Sequence, residues 1–112
     1  MYDRFLQMLG LAERAHAVRS GALACEQAIR KGHAKLIVLA EDASPDVKHA
    51  FLARAQGSGI KIVTVPSRMV LGNAIGKSPR AALVVTDAGL GQRLWDMSQE
   101  TGGGISVEDQ SF

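Results

Sequence analysis

The sequence predicts an α/β domain in which helices cover both faces of a small mixed sheet. Four short apolar segments, near residues 18–20, 35–40, 60–65 and 81–86, alternate with segments of helical periodicity. Such alternation favours a sheet between two layers of helices, and the continuous apolar run over 35–40 is typical of a strand buried on both faces. A length of 112 residues fits one domain, and 46% hydrophobic residues suffice for its core.

Helices are predicted where apolar residues recur at spacings of three and four and where capping residues stand at the ends. Asp3 is expected to cap the first helix and Asp87 the last. Ser44-Pro45 marks a helix start, because Ser is a favoured N-cap and Pro a favoured first residue. Gly32 supplies the turn after the second helix. The predicted helices cover residues 2–15, 22–31, 44–56, 66–73 and 87–98.

The domain is predicted to span residues 1–98, followed by a flexible tail over 99–112. This last segment contains Gly102-Gly103-Gly104 and several acidic residues, which leave little apolar surface to bury. The tail is therefore not expected to contribute to the core.

Composition excludes several classes of protein. A single cysteine, Cys25, excludes a disulfide framework within the chain and a metal site built from several cysteines. No apolar run approaches the roughly 20 residues of a membrane span, and the N-terminus lacks the features of a signal peptide. Five aromatic residues are too few for a base-stacking platform. We therefore expect a soluble, cytoplasmic protein with no membrane contact.

The positive charge is concentrated in the middle of the chain. Residues 14–80 hold eleven Lys and Arg against four acidic residues, a net charge of +7, whereas the remainder carries −5. This asymmetry indicates an anionic partner, of which nucleic acid is the obvious class, although solvated surface charge gives the same pattern.

Enzymatic residue patterns are absent from the sequence. The three histidines, His16, His33 and His49, share no helical spacing, and Cys25 lies in a helix without a histidine in its turn. A helical cysteine of this kind is more often a small buried residue than a nucleophile. We predict no catalytic residues, no metal site and no cofactor. A small-molecule enzyme would require a deep pocket with a convergent His, Asp or Cys.

Two segments have the chemistry of phosphate binding. Ser20-Gly21 opens a helix whose first amides lack intrahelical partners, and Gly21 has no side chain to obstruct a phosphate. Leu23, with Ala28 and Ile29, is expected to face inward. The loop over 76–80 carries two cations and is stiffened by a proline. A helix cap and a solubilising loop are the simpler interpretations. A phosphate-facing surface built from both segments requires them to be adjacent, which only the fold can supply.

Four ordered stretches resemble the small bacterial YlxQ/YbxF-type proteins, relatives of the archaeal ribosomal protein that binds kink-turn RNA, in the superfamily of ribosomal proteins L-seven-Ae and L-thirty-e. The resemblance runs from about Phe5 to Asp87. The resemblance implies a three-layer α/β/α sandwich fold, in agreement with the predicted alternation of helices and strands. The stretches are Leu9 to Ala15, Gly21 with Ala28 to Leu36, Leu39 to Pro45, and Val65 to Arg68 with Leu71-Gly72, Ala74 and Gly76.

The resemblance implies non-catalytic binding of structured RNA, kink-turn-like or ribosomal, through the start of the Gly21 helix and the loop around Lys77. Phosphate contacts of this kind position an RNA without reading its sequence. The RNA-binding residues implied are Arg19, Gly21, Ala22, Leu23, Ala24, Gln27, Lys31, Arg68, Lys77, Ser78, Pro79 and Arg80.

The sequence departs from the kink-turn readers of this family at the positions that read the RNA motif. Leu23, Ala24 and Gln27 stand where those members have Asn, Glu and Lys. Leu and Ala side chains form no hydrogen bonds with base edges. We therefore expect weakened or altered motif specificity. The alternative is a protein-interaction module associated with ribosomal or transcription machinery, with Leu23 and Ala24 in an apolar contact.

Overall fold

Residues 3–101 and 106–108 are described by the computed structural model of the chain. Ten elements follow one another: α1 (Asp3–Arg14), β1 (Val18–Ser20), α2 (Ala22–Arg30), β2 (Leu36–Ala40), α3 (Pro45–Ser58), β3 (Ile62–Val65), α4 (Arg68–Ala74), β4 (Ala82–Val85), α5 (Ala88–Thr101) and β5 (Ser106–Glu108). The predicted α/β class and the alternation of helices with strands are confirmed.

The strands form one mixed sheet in the order β1-β4-β2-β3-β5. The pair β2 and β3 is parallel, and the other neighbouring pairs are antiparallel. Val85 of β4 lies between Val18 of β1 and Leu36 of β2 in the register. The residues just before β1, just before β2 and just after β4 therefore lie at the same end of the sheet.

The helices fall into two packed groups. One group joins α1 with α4 and α5, and α5 also packs against β2 and β4. The other group joins α2 with α3, where Arg54 forms an ion pair with Glu26 at 2.8 Å, and α2 packs against β1 and β4. The sheet therefore lies between two helical layers, as predicted.

The core consists mainly of aliphatic side chains. All residues of β2, β3 and β4 are buried, because each of these strands is covered on both faces. Burying one Leu or Ile side chain contributes about 2 kcal/mol to the free energy of unfolding. The largest fully buried side chains are Phe5, Leu9, Leu36, Ile37, Leu39, Ile62, Leu71, Leu83, Leu94, Val38, Val63 and Val65.

Two predicted helix caps are present, and a third cap was not predicted. The Ser44 hydroxyl accepts a hydrogen bond from the Val47 amide at 3.2 Å, and the Asp87 carboxylate accepts one from the Leu90 amide at 2.8 Å. Ser67 caps α4 in the same way, through the Val70 amide at 3.1 Å. Asp3, by contrast, is the first residue of α1 rather than its cap.

The prediction that Leu23 faces the core is wrong. Its side chain is 68% exposed, while Cys25, Ala28 and Ile29 form the buried face of α2. Leu23 lies two residues before Cys25, which is about 200° around a helix, and therefore on the opposite face.

The C-terminal part differs from the predicted elements. The helix α5 continues to Thr101, beyond the predicted boundary at residue 98, and β5 pairs antiparallel with β3 inside the segment predicted as a tail. The remainder of that segment, 102–105 and 109–112, lies outside the described residues. No helix in the described part of the chain is long and apolar enough to cross a membrane.

Candidate nucleic-acid interface

The first turn of α2 begins at an open surface. Gly21 precedes the helix with φ 92°, a left-handed conformation that glycine adopts without strain, and no side chain caps the first amides. Gly21, Ala22 and Leu23 are exposed. Unpartnered amides and the positive end of the helix dipole therefore face solvent, an arrangement that suits an anion.

The loop over 76–80 follows α4 and folds back onto it. The Lys77 amide donates to the Gly72 carbonyl oxygen at 2.9 Å. At Gly72 the loop approaches so closely that an added Cβ would overlap the Ser78 carbonyl and lie 2.9 Å from Cα of Pro79. Gly72 thus sets the position of the loop.

Arg80 joins the loop to the start of α2. Its Nε donates to the Ser20 hydroxyl at 3.3 Å, one residue before Gly21. Its guanidinium also donates to the Ser78 hydroxyl at 2.7 Å and to the Pro79 carbonyl at 3.2 Å. The two segments that the sequence singled out are therefore adjacent. Arg80 is half-buried, and its hydrogen bonds fix the relative position of the two segments.

The other two predicted cations near the loop have carboxylate neighbours. The Lys77 ammonium lies 3.6 Å from the Glu13 carboxylate of α1. The Arg68 guanidinium lies 3.6 Å from the Asp42 carboxylate, which also accepts a hydrogen bond from the Arg68 amide at 2.8 Å. Both side chains remain substantially exposed, at 40% for Lys77 and 56% for Arg68. Exposed pairs of this kind hold together weakly and separate easily.

Ala24 and Gln27 of α2, with Lys31 at its C-cap, help to line a groove of about 410 Å³, the α2 groove. Arg19 enters it from β1, and its guanidinium donates to the backbone carbonyls of His16 and Val18 at 3.0 Å each. The polar residues that line the α2 groove are Arg19, Gln27, Lys31, His33, Lys35 and Thr86.

His33 and Lys35 were missed as site residues at the sequence level. Lys35 immediately precedes β2 and Thr86 follows β4, so the sheet register brings both to the side of Arg19. The signal lay in the pairing order of the strands, which residue spacing does not reveal.

Cys25 is a buried residue of the hydrophobic core. Burial raises the pKa of its thiol to about 12, although a backbone hydrogen bond with Val84 acts in the opposite direction. The thiol donates to the Arg19 carbonyl at 3.3 Å. Such a thiol is protonated at neutral pH and unsuited to nucleophilic attack. In the part of the chain that the structure describes, no three His, Cys, Asp or Glu side chains are grouped to hold a metal ion.

Comparison with known proteins assigns the family. The model of the Ribosomal protein L7Ae/L30e/S12e/Gadd45 family matches residues 3–94. The chain is 39% identical over 87 residues to the RNA-binding protein YlxQ of Bacillus subtilis, which covers 78% of this chain and 87% of that protein. It is 33% identical over 97 residues to the large ribosomal subunit protein eL8 of Cenarchaeum symbiosum, covering 86% of this chain and 77% of the relative.

The fold comparison agrees with the sequence comparison. A Bacillus halodurans structure superposes with a TM-score of 0.83 at 32% identity, covering 86% of this chain and 97% of that one. The Giardia lamblia 15.5kD RNA binding protein shares the fold, with a TM-score of 0.74 at 21% identity, covering 87% and 83%. The chain therefore belongs to the L7Ae/L30e/S12e/Gadd45 family of ribosomal proteins.

Proposed function

We propose that this protein binds structured RNA without catalysing a reaction, through the first turn of α2 and the loop over 76–80. The observation that carries the proposal is the Arg80 bridge to Ser20, which holds the two segments side by side. Helix-end amides and exposed cations then converge on one surface, which suits the phosphates of a folded RNA. The name of the Bacillus subtilis relative supports the same class of ligand.

The details of the surface favour backbone contact over motif readout. Leu23 is 68% exposed at the position where kink-turn readers have Asn, and it offers an apolar surface rather than hydrogen bonds to base edges. Lys77 lies in the loop, and the Arg68 carbonyl accepts a hydrogen bond from the Arg80 amide at 3.1 Å; both side chains supply exposed charge. We infer that affinity comes mainly from phosphates and that discrimination between kink-turn and regular RNA is weak. Ribosomal RNA in the cytoplasm is one structured RNA that this surface could bind.

The test is a binding titration over a salt series with two RNAs, a kink-turn hairpin and a plain hairpin. Wild-type protein is expected to bind both, with similar affinity. Lys77→Ala should weaken binding and reduce the slope of log K against log salt by about 0.7–0.9. Arg93→Ala, which removes an exposed charge from α5, is the matched control and should change neither quantity. Absence of RNA binding even at low salt would refute the proposal.

A second candidate function is docking on a protein of the ribosomal or transcription machinery. Leu23 and Met69 favour it, because they are 68% and 63% exposed and apolar. A pull-down from nuclease-treated extract, compared between wild type and Leu23→Ser, separates the two functions. A partner that survives nuclease and depends on Leu23 would support protein docking, whereas a partner lost with the RNA supports the RNA-binding proposal.

A further inference from the structure

The outer face of α1 carries a second, shallow groove. The helix buries Phe5, Leu9 and Ala12, and a groove of about 510 Å³, the α1 groove, runs along its opposite face beside α4. Gly10 lets α4 approach closely, since a Cβ at this position would lie 3.1 Å from the Ala74 carbonyl oxygen. The residues that line the α1 groove are Leu6, Gln7, Gly10, Leu11, Arg14 and Ala74. The solvent side of α1 is therefore indented at its middle.

The α1 groove exposes an apolar side chain for which the proposed RNA surface has no use. Leu11 is 48% exposed, and it is one of three large apolar residues that are exposed in the described part of the chain. The other two, Leu23 and Met69, belong to α2 and α4. A single exposed leucine needs no explanation, but Leu11 borders a groove together with the half-buried Leu6. Apolar surface of this kind is suited to a partner helix.

Two opposite charges stand at the ends of the same helix face. Asp3 and Arg14 are exposed, and neither forms an ion pair with another residue of the described chain. Eleven residues separate them, which is about three helical turns, so both lie on one stripe of α1. Gln7 and Gly10 lie between them on this stripe. A spacing of four, three and four residues is typical of the seam along which one helix packs against another.

This stripe is complementary to itself when a second copy of α1 runs in the opposite direction. If the midpoints of the two helices coincide, Asp3 faces Arg14 of the second copy. Gln7 then faces Gly10 of the second copy, so that a long side chain meets a position without one. A two-fold axis repeats both contacts, and Leu6 and Leu11 flank the seam on its two sides. Charge and shape therefore match between two identical helices.

We propose that the α1 groove is the contact surface of a homodimer, in which the α1 helices of two copies of this chain pack antiparallel across a two-fold axis. The pairing of Asp3 with Arg14 is the contact that selects a second copy as the occupant. A helix of 12 residues is about 18 Å long, so the contact area lies below the roughly 1,200 Å² of a standard interface. The dimer is therefore transient, with a Kd of about 10–100 µM. It does not depend on the proposed RNA-binding function.

The test is a pair of charge reversals, followed by sedimentation equilibrium of the nucleic-acid-free full chain over a concentration series at low salt. Asp3→Arg and Arg14→Asp each place like charges opposite one another in both halves of the dimer. Each variant alone should dimerise at least about tenfold more weakly than wild type. An equimolar mixture of the two variants should dimerise with nearly wild-type affinity, because each new charge then faces its opposite. This rescue is specific to an antiparallel α1 pair.

The apolar part of the interface is tested with two matched variants. Leu11→Ser removes an exposed leucine from the α1 groove, and we expect it to weaken dimerisation by about three- to tenfold. Met69→Ser removes an exposed apolar side chain from α4, outside the residues that line the groove, and should leave the dimer unchanged. Thermal unfolding of all variants checks that each remains folded.

Three results would overturn the dimer. Wild type that stays monomeric throughout the concentration series excludes it. Dimerisation that is equal in wild type and in both single variants, with no gain in their mixture, places the contact on another face. A chain that stays monomeric and loses RNA affinity in Arg14→Asp or Leu11→Ser would make this face part of the RNA surface instead. Because dimerisation is measured without RNA, failure of the RNA-binding proposal leaves this test unaffected.

Discussion

The Arg80 Nε donates a hydrogen bond to the Ser20 hydroxyl at 3.3 Å, across 60 residues of sequence. This bond connects the loop over 76–80 to the strand that leads into α2. Arg80 also donates to Ser78 and Pro79 within the loop itself. The side chain therefore acts as a brace between the two segments of the proposed RNA surface, with its Nε and one terminal nitrogen hydrogen-bonded within the protein.

Ser20→Ala tests the brace without changing any charge. Removing the hydroxyl should cost about 1 kcal/mol of unfolding free energy, the usual net value of one hydrogen bond. RNA affinity should fall several-fold with an unchanged salt slope, because the geometry is altered while the number of phosphate contacts is not. Urea denaturation and the salt series measure the two effects. A double-mutant cycle with Arg80→Ala should give a coupling energy of about 0.5–1 kcal/mol, and full additivity would contradict the brace.

Gly72→Ala is expected to displace the loop. The added methyl group overlaps the Ser78 carbonyl, so the backbone of the loop must move. We expect a loss of about 1–3 kcal/mol in stability and weaker RNA binding. Gly57→Ala is the control, because a Cβ there meets open space in α3 and should stabilise the protein by about 0.5–1 kcal/mol. Urea denaturation and RNA titration of both variants check this, and unaltered RNA affinity in Gly72→Ala would argue against a role for loop position.

Glu13→Gln is expected to strengthen RNA binding. The Glu13 carboxylate lies 3.6 Å from the Lys77 ammonium and competes with phosphate for it. Stability should change by less than about 1 kcal/mol, since both side chains of the pair are in contact with solvent, while RNA affinity should rise about threefold. Glu100→Gln in α5 removes an exposed carboxylate that has no ion-pair partner among the described residues, and should leave the affinity close to that of wild type. A weaker complex for Glu13→Gln would show that the pair holds Lys77 in its binding position instead.

The sequence predicts the order of the elements because each boundary depends on local chemistry. Ser44 and Ser67 cap the helices that follow them, and the apolar strands correspond to β2, β3 and β4 within two residues. The pairing of β5 with β3 was not predicted, because the short segment over 106–108 carries no apolar run that would mark a strand.

The site was only partly predictable, because its geometry depends on contacts between distant residues. The composition of the loop and the glycine before α2 were visible in the sequence, but the contact of Arg80 within the protein was not. Its contact with Ser20 depends on how β1 and the loop are placed by the sheet. The α2 groove likewise depends on the register that sets Lys35 beside Arg19.

Alkaline pH should destabilise the protein through Cys25. Burial raises the pKa of this thiol from its ordinary value of 9.0 to about 12 in the folded state. Between these pH values the unfolded chain has lost the thiol proton while the folded chain retains it. The stabilisation is therefore complete below pH 9 and is lost towards pH 12, at about 1 kcal/mol per pH unit.

The measurement is the unfolding free energy of wild type and Cys25→Ala between pH 8 and pH 11. The difference between the two slopes isolates the contribution of the thiol. Wild type should lose stability more steeply than Cys25→Ala. Parallel slopes would show that the thiol ionises equally in both states. Native protein at pH 8 should also resist alkylation by iodoacetamide, and unfolded protein should react.

Restoring the motif-reading side chains should restore discrimination between RNAs. Leu23 is exposed at the start of α2, so Leu23→Asn places an amide at the surface without disturbing the core. Combined with Ala24→Glu and Gln27→Lys, it recreates the residue pattern that the family's kink-turn readers carry. The Asn and Glu side chains can form hydrogen bonds with base edges of the kink-turn, at about 1 kcal/mol each. The triple variant should therefore prefer the kink-turn hairpin over the plain hairpin by about tenfold or more, whereas wild type shows little preference.

Competition binding at fixed salt measures the ratio, and Leu23→Asn alone should give an intermediate value. Equal preference in wild type and triple variant would mean that discrimination in this protein depends on the loop over 76–80 instead of α2.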